Sequence, residues 1–168
     1  MNFQFAQQGA SFAGAMAYYC HDKREAGQER QPQSAERVAW SETRNMLTDR
    51  AETATQIMIA TAERASVLKE RAGIAATGRK ATKPVAAFSL AWHPDEAGHL
   101  DRAEMVRVAD QALKVMGLEH CQSVIIAHRD TKHPHVHVVV NRVNPETGRM
   151  EKIDPNRVRA LDRWAHEY

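Results

Sequence analysis

Cysteine is scarce in this chain of 168 residues, which contains only Cys20 and Cys121. Two thiols cannot form the disulfide framework of a small secreted domain, so a reducing compartment such as the cytosol is expected. The two residues do not form a Cys-x-x-Cys pair, which argues against a metal site built from thiolates. Any metal site in this chain is therefore expected to use other side chains.

Long apolar runs and a large excess of one charge are also missing. No stretch approaches the roughly 20 apolar residues that a membrane helix needs, so no membrane insertion is expected. The N-terminus, MNFQFAQQGASFAG, has neither the positive segment nor the continuous apolar core of a signal peptide. The net charge of +2 does not by itself indicate nucleic-acid binding, because the basic surface of a DNA-binding domain is usually larger or clustered.

Basic residues do cluster between positions 69 and 83, where Glu70 is the single acidic residue. The basic residues of this stretch are Lys69, Arg71, Arg79, Lys80 and Lys83. Two interpretations stay open at this point: a solvated loop, and a surface that contacts phosphate groups.

The composition, 43% hydrophobic and 26% charged, is that of a globular chain that can bury one core. Residues 1–168 therefore fit a single domain. Hydrophobic periodicity predicts an α+β fold, an antiparallel β-sheet with helices packed on it. Because the last predicted helix is still periodic at Tyr168, the chain is expected to be the front of a longer protein.

The predicted elements follow from alternation, caps and breakers. Strands are expected at 2–6, 85–92, 122–127, 135–143 and near 150–153. Helices are expected from Ser11 to about Lys23, over 51–72, from the Asp101 cap to Gly117, and from the Asp154 cap onward. Residues 24–36 read as a polar loop, and a short ordered piece is expected around 38–47.

Two adjacent tyrosines lie in the first predicted helix. Phe12, Met16 and Tyr19 fall at helical spacing and define its buried face, whereas Tyr18 is off that face. Small residues one and two turns before Tyr18 leave open space over its ring.

The segment from His128 to Val143 carries the most specific chemical signal. Side chains alternate faces along a strand, so His135, His137 and Asn141 share one face. Six residues separate His128 from His135, which suits a hairpin loop that brings the three imidazoles together. Such a group makes a site with three nitrogen ligands and open positions, whereas without a ligand its desolvation would cost stability.

Other residues of the same segment are more ambiguous. A single histidine on a strand is more often a hydrogen-bonded structural residue than a ligand. Asp130 is a candidate to fix the tautomer of a ligand histidine or to receive a proton, and its alternative is a turn-forming aspartate. His133 is expected in the loop, as a DNA contact rather than a ligand.

Three motifs resemble those of the plasmid mobilisation relaxases, a nuclease family within the HUH endonucleases. Their third motif reads roughly H-x-D-x4-H-x-H-x3-N-R, and it is matched here at His128, Asp130, His135, His137, Asn141 and Arg142. Gly9, Ser11, Phe12 and the run Tyr18-Tyr19-Cys20-His21-Asp22-Lys23 look like the first motif, and residues 40–46 look like the second.

The resemblance implies a nuclease that nicks one strand at a plasmid transfer origin and stays attached through a 5′-phosphotyrosyl link. It places Tyr18 at the nucleophile position, with Tyr19 as the alternative, and it assigns His128, His135 and His137 to a divalent metal. The family works with Mg²⁺ or Mn²⁺, and imidazole ligands leave Zn²⁺ open. Asn141 would hold a ligand or the tyrosine in place, and Arg44 and Asn45 would support DNA or the site.

The resemblance also implies partners and a location. Single-stranded or melted origin DNA is the expected substrate, with accessory relaxosome proteins and a secretion coupling protein as further partners. The expected location is the bacterial cytoplasm, with possible transfer to a recipient cell while attached to DNA. Three rivals stay open: a zinc-dependent hydrolase that uses metal-bound water, a related HUH replication initiator or transposase, and a non-catalytic DNA-binding module with a structural metal.

Overall fold

The computed structural model describes residues 1–6, 8–20, 37–75 and 82–168. The polar loop predicted over 24–36 lies outside the described residues. So do the predicted end of the first helix beyond Cys20 and two of the candidate DNA contacts, Arg79 and Lys80.

One five-stranded sheet forms the centre of the described structure. Its strands are β1 (Asn2–Phe5), β2 (Val38–Arg44), β3 (Val85–Ala91), β4 (Ser123–His128) and β5 (His135–Asn141). They are ordered β1-β3-β5-β4-β2, and every neighbouring pair is antiparallel. The strands predicted at the N-terminus and around β3, β4 and β5 are confirmed, and the ordered piece expected around 38–47 contains the edge strand β2.

Five α-helices in the described part of the chain accompany the sheet and complete the predicted α+β fold. They are α1 (Phe12–Cys20), α2 (Ala51–Glu63), α3 (Ala65–Arg71), α4 (Arg102–Met116) and α5 (Pro155–Glu167). In the described part of the chain, no helix combines the length and the apolar character needed to cross a membrane.

Helices cover both faces of the sheet, because side chains of each strand alternate between two cores. On one face Phe88, Leu90 and Val138 pack with buried residues of α4 and α5. On the other face Val139 and Ile126 pack with buried residues of α1 and α2. The second face carries His137, since it lies two residues from Val139 on β5.

The caps explain why α4 begins and ends where the sequence predicted. The Asp101 side chain accepts a hydrogen bond from the Glu104 backbone nitrogen at 2.8 Å. Gly117 ends the helix in the left-handed conformation, with φ of 69°.

Two predicted elements differ from the structure. The helix expected over 51–72 is two helices, because Arg64 leaves helical geometry between α2 and α3; nothing in its contacts explains the break. The strand expected near 150–153 is wrong, since only one isolated bridge joins Val143 to Met150. Two backbone bonds flank this bridge, from the Glu151 nitrogen to the Arg142 carbonyl at 2.7 Å and from the Asn144 nitrogen to the Arg149 carbonyl at 2.8 Å. The Glu151 carbonyl accepts from the Arg142 side chain at 2.9 Å, and the pairing does not continue into a strand.

Candidate metal centre

Three histidines converge where β4 ends and β5 begins. His128 pairs directly with His135 across the two strands, and His137 lies two residues further along β5. The ring centroids are 4.5 to 5.1 Å apart. One nitrogen from each ring lies within 4.8 Å of the others, so the three side chains could hold a metal ion. The hairpin spacing and the alternation of side chains thus predicted this cluster correctly.

Main-chain carbonyls fix which nitrogen of two rings carries the proton. His128 Nε2 lies 2.6 Å from the Tyr19 carbonyl oxygen, and His135 Nδ1 lies 2.9 Å from the His133 carbonyl oxygen. A carbonyl only accepts, so both of these nitrogens are the N–H donors. The lone pairs are then on Nδ1 of His128 and Nε2 of His135, which is the protonation a metal ligand needs.

The Nδ1 atom of His128 indicates that a ligand belongs in the cluster. It is buried and has no hydrogen-bond partner among the described residues. A buried polar atom without a partner costs free energy, on the order of 1–3 kcal/mol. A cation bound by the three imidazoles would satisfy it, so the residues present fit a divalent metal.

The environment also favours the neutral form of His128 and His137. Burial lowers the pKa of His128. The pKa of His137 is lowered to about 3, mainly by burial and to a smaller extent by the nearby rings of His128 and His135. Neutral rings are the form that binds metal, so the cluster is prepared for a cation near neutral pH.

Asp130 is bound to a residue that the sequence did not single out. Its Oδ2 accepts a hydrogen bond from Arg37 Nε at 2.6 Å, while its Oδ1 is 3.6 Å from His135 Nε2, beyond hydrogen-bond range. The tautomer-fixing role expected for Asp130 therefore belongs to the backbone carbonyls. Burial acts to raise the pKa of Asp130, but the bond from Arg37 lowers it overall, so the carboxylate is a weak base.

The two tyrosines lie beside the cluster in different environments. The Tyr19 ring is buried and packs 4.6 Å from the His137 ring, and burial raises the pKa of its phenol. Tyr18 is 45% exposed and meets the Tyr19 ring edge-on at 5.0 Å. These two contacts place the Tyr18 ring within about 10 Å of the His137 ring, without any movement of α1.

Open space next to Tyr18 agrees with the small residues in the sequence. A cavity of about 310 Å³ is lined in part by both tyrosines. Its lining residues are Gly9, Ala10, Ser11, Gly14, Ala15, Tyr18, Tyr19, Val85 and Ala87. The described residues therefore leave open space beside Tyr18.

A comparison with protein families matches residues 19–168 to the relaxase family described as MobA/VirD2-like, nuclease domain. The chain belongs to this family. The matched range contains all three histidines of the cluster, and it begins at Tyr19, so Tyr18 lies just outside it. No curated protein and no solved structure matches the chain.

Asn141 lies on the same face of the sheet as His135 and His137 but far from the histidine cluster. It is four residues beyond His137, about 13 Å along the strand. Its amide donates to the Met58 carbonyl and to Gln122 Oε1, and its oxygen accepts from the Val143 nitrogen. All its polar atoms are thus used inside the core, so it does not hold a histidine ligand or a tyrosine.

Arg44 and Asn45 are also engaged elsewhere in the relaxase domain, at the opposite end of β4 from His128. Arg44 pairs with Asp110 at 2.7 Å. The Asn45 amide donates to the carbonyls of Glu119 and Cys121, at 2.8 and 2.7 Å, and its φ of 59° places it in a left-handed turn. These bonds explain both side chains structurally, and the expectation that they contact DNA has no support in the geometry.

The remaining candidate DNA contacts lie at the surface. Lys69 and Arg71 are in the last turn of α3. Lys83 is exposed just before β3, at the end of that strand away from His135. His133 lies in the β4–β5 loop, where its Nδ1 donates to the Trp92 carbonyl at 3.3 Å.

Sequence reasoning missed Arg37, which touches both Asp130 and the Tyr18 carbonyl oxygen. The residue is far from the histidine segment in sequence and next to a polar stretch. The one available signal was its position directly before strand β2, whose start pairs with His128.

Proposed function

We propose that this relaxase domain nicks single-stranded or melted DNA at a plasmid transfer origin and becomes linked to the 5′-phosphate through Tyr18. The observation that carries the proposal is the cluster of three histidines, one with an unpartnered buried nitrogen, beside the partly exposed Tyr18. Tyr18 is favoured over Tyr19 because its ring is exposed, while the Tyr19 ring is packed against His137.

The metal would be held by His128, His135 and His137. Phosphoryl transfer favours Mg²⁺ or Mn²⁺, while the imidazole ligands also suit Zn²⁺. When bound, the cation supplies positive charge that offsets the charge developing on the scissile phosphate.

The residues of the chain perform the rest of the reaction. The Tyr18 phenolic oxygen attacks phosphorus, the bond between phosphorus and the 3′-oxygen breaks, and the phenolic proton goes to solvent. The leaving 3′-oxygen takes up a proton and becomes a 3′-hydroxyl. One phosphodiester replaces another, so the 3′-hydroxyl can reverse the step and rejoin the strand. Asp130 remains ionised and keeps Arg37 in place.

Positive residues away from the cluster would bind the rest of the strand. Lys69, Arg71 and Lys83 are the described candidates, and His133 can contact DNA near the metal site. Accessory relaxosome proteins and a secretion coupling protein are proposed partners of the relaxase at the origin. Residues 1–168 would act as the nicking domain, and the bacterial cytoplasm is the proposed place of the reaction.

A denaturing gel tests the proposal. The relaxase is incubated with Mn²⁺ and 3′-labelled single-stranded oligonucleotides that tile the origin. The wild type and Tyr19→Phe are expected to give a labelled band at the mass of protein plus DNA, and Tyr18→Phe none. EDTA is expected to abolish the band.

Other results would overturn the proposal in identifiable ways. Cleavage that persists in Tyr18→Phe without an adduct would indicate a zinc-type hydrolase that uses water. DNA binding without cleavage in any condition would indicate a binding module with a structural metal. Cleavage of a replication origin or a transposon end, but not of a transfer origin, would indicate the replication-initiator or transposase alternative.

A further inference from the structure

Arg37 joins three parts of the candidate site. Its Nε donates to Asp130 Oδ2 at 2.6 Å, and its Nη1 donates to the Tyr18 carbonyl oxygen at 3.3 Å. Its own carbonyl oxygen accepts from the Arg129 nitrogen at 3.0 Å. One residue thus ties the loop after His128 to the helix that carries the tyrosines.

Arg37 and His128 both contact α1 through main-chain carbonyls. Two consecutive carbonyls of the helix accept bonds from the site: Tyr18 from Arg37, and Tyr19 from His128. The part of α1 that carries the tyrosines is therefore attached to the histidine cluster through His128 and to Asp130 through Arg37.

Burial strengthens the ion pair between Arg37 and Asp130. The Arg37 side chain is only 12% exposed and that of Asp130 is 31% exposed, so water screens the ion pair poorly. A guanidinium presents several donors in a fixed plane and can bond to a carboxylate and a carbonyl at once. A lysine at the same place would keep the charge but would lack this fork.

We propose that Arg37 is a positioning residue for the cleavage reaction: by holding the main chain of Tyr18 and the carboxylate of Asp130 together, it sets the distance between the Tyr18 phenol and the histidine cluster. This inference rests on the proposed function. A misplacement of about 1 Å between reacting groups can lower a rate about 100-fold, so loss of Arg37 should act on the chemical step.

Single-turnover adduct formation tests the inference, with relaxase in excess over 3′-labelled origin oligonucleotide and saturating Mn²⁺. Arg37→Gln is expected to lower the rate constant about 10- to 100-fold while the final amplitude of adduct is retained. Arg37→Lys is expected to fall between Arg37→Gln and the wild type. Arg107→Gln is the matched control, because Arg107 pairs with Glu104 on α4, on the other face of the sheet, and its rate constant should equal that of the wild type.

Three measurements separate positioning from other roles. A merely structural role would reduce the amplitude and the melting temperature but would leave the rate constant of the active fraction unchanged. A phosphate contact would weaken binding of the oligonucleotide, whereas positioning leaves the Kd within about threefold. An unchanged rate constant in Arg37→Gln, or a change confined to amplitude or Kd, overturns the inference. A wild type that forms no adduct would instead refute the proposed function itself.

Discussion

Each histidine of the cluster is held by a different kind of contact. His128 is held by the Tyr19 carbonyl, His135 by the His133 carbonyl, and His137 by packing against the Tyr19 ring. The first two neighbours fix a tautomer, while the third fixes the position of a ring. Tyr19 therefore supports the cluster twice, through its backbone and through its side chain, which agrees with a structural role for this tyrosine.

Removal of one imidazole should disable the centre. His137→Gln removes one of three nitrogens, so the affinity for Mn²⁺ is expected to fall at least about 100-fold, since even the partners of ligands are worth about 10- to 100-fold. Isothermal titration calorimetry measures the change. His120→Gln serves as the control, because His120 is 78% exposed and lies outside the cluster. Equal Mn²⁺ affinity in His137→Gln and the wild type would show that the cluster is not the metal site.

For single residues, the sequence predicted contacts between residues that are close in the chain and missed contacts between residues that are far apart in it. The alternation along β5 and the hairpin length were sufficient to bring the three histidines together. The same alternation placed Asn141 on the face of the histidines. It could not show that the side chain of Asn141 would be hydrogen-bonded to Met58, Gln122 and Val143 inside the core. Arg37 was not predictable from spacing, because its contacts depend on how α1 packs against the end of β4.

Among the elements, the turn from Asn144 to Gly148 packs against α3. The Asn144 side-chain oxygen accepts bonds from the nitrogens of Glu146 and Thr147, and the Gly148 nitrogen donates to the Asn144 carbonyl at 2.8 Å. Gly148 has a φ of 64°, and a Cβ there would collide with the Ala65 carbonyl oxygen. The close approach of this turn to α3 therefore requires glycine.

Gly148→Ala is expected to lower the free energy of unfolding by about 2 kcal/mol or more, because it combines left-handed strain with a collision against helix backbone. Urea denaturation followed by circular dichroism measures it. Gly98→Ala is the matched control, since an added Cβ at Gly98 meets nothing within 4 Å. Equal stability of the two variants would show that the turn does not pack on α3 as described.

The elements were predictable where caps and periodicity agreed. Asp101 and Gly117 fixed α4, and Asp154 with Pro155 fixed the start of α5. The break at Arg64 was not predictable, because the apolar stripe continues through it. The strand near 150–153 was wrongly predicted because pairing of this segment with the chain after β5 stops at the single bridge between Val143 and Met150, and the Glu151 carbonyl accepts from the Arg142 side chain.

For the whole molecule, the histidine cluster and the candidate phosphate contact Lys83 lie far apart on the sheet. The histidines lie at one end of β5, and Lys83 lies about 20 Å away, at the far end of the neighbouring strand β3. A DNA strand that contacts both must run along the sheet. The sequence predicted the basic residues but not their distance from the metal centre, because that distance depends on the pairing of β3 with β5.

Salt dependence tests whether these residues bind phosphate. Removal of one cation that neutralises a phosphate should reduce the slope of log Kd against log salt by about 0.7 for single-stranded DNA. Lys69→Gln, Arg71→Gln and Lys83→Gln are each expected to reduce the slope measured by fluorescence anisotropy. Arg44→Gln should leave the slope unchanged, because its guanidinium is paired with Asp110. A slope that changes only in Arg44→Gln would reverse this assignment.

Tandem mass spectrometry of the trypsin- and nuclease-treated adduct formed with Mn²⁺ and origin DNA identifies the nucleophile most directly. A nucleotide linked through its 5′-phosphate to the Tyr18 side chain is expected, on the peptide that contains both tyrosines. A nucleotide on Tyr19, or no tyrosine-linked nucleotide in a reaction that cleaves the DNA, would contradict this expectation.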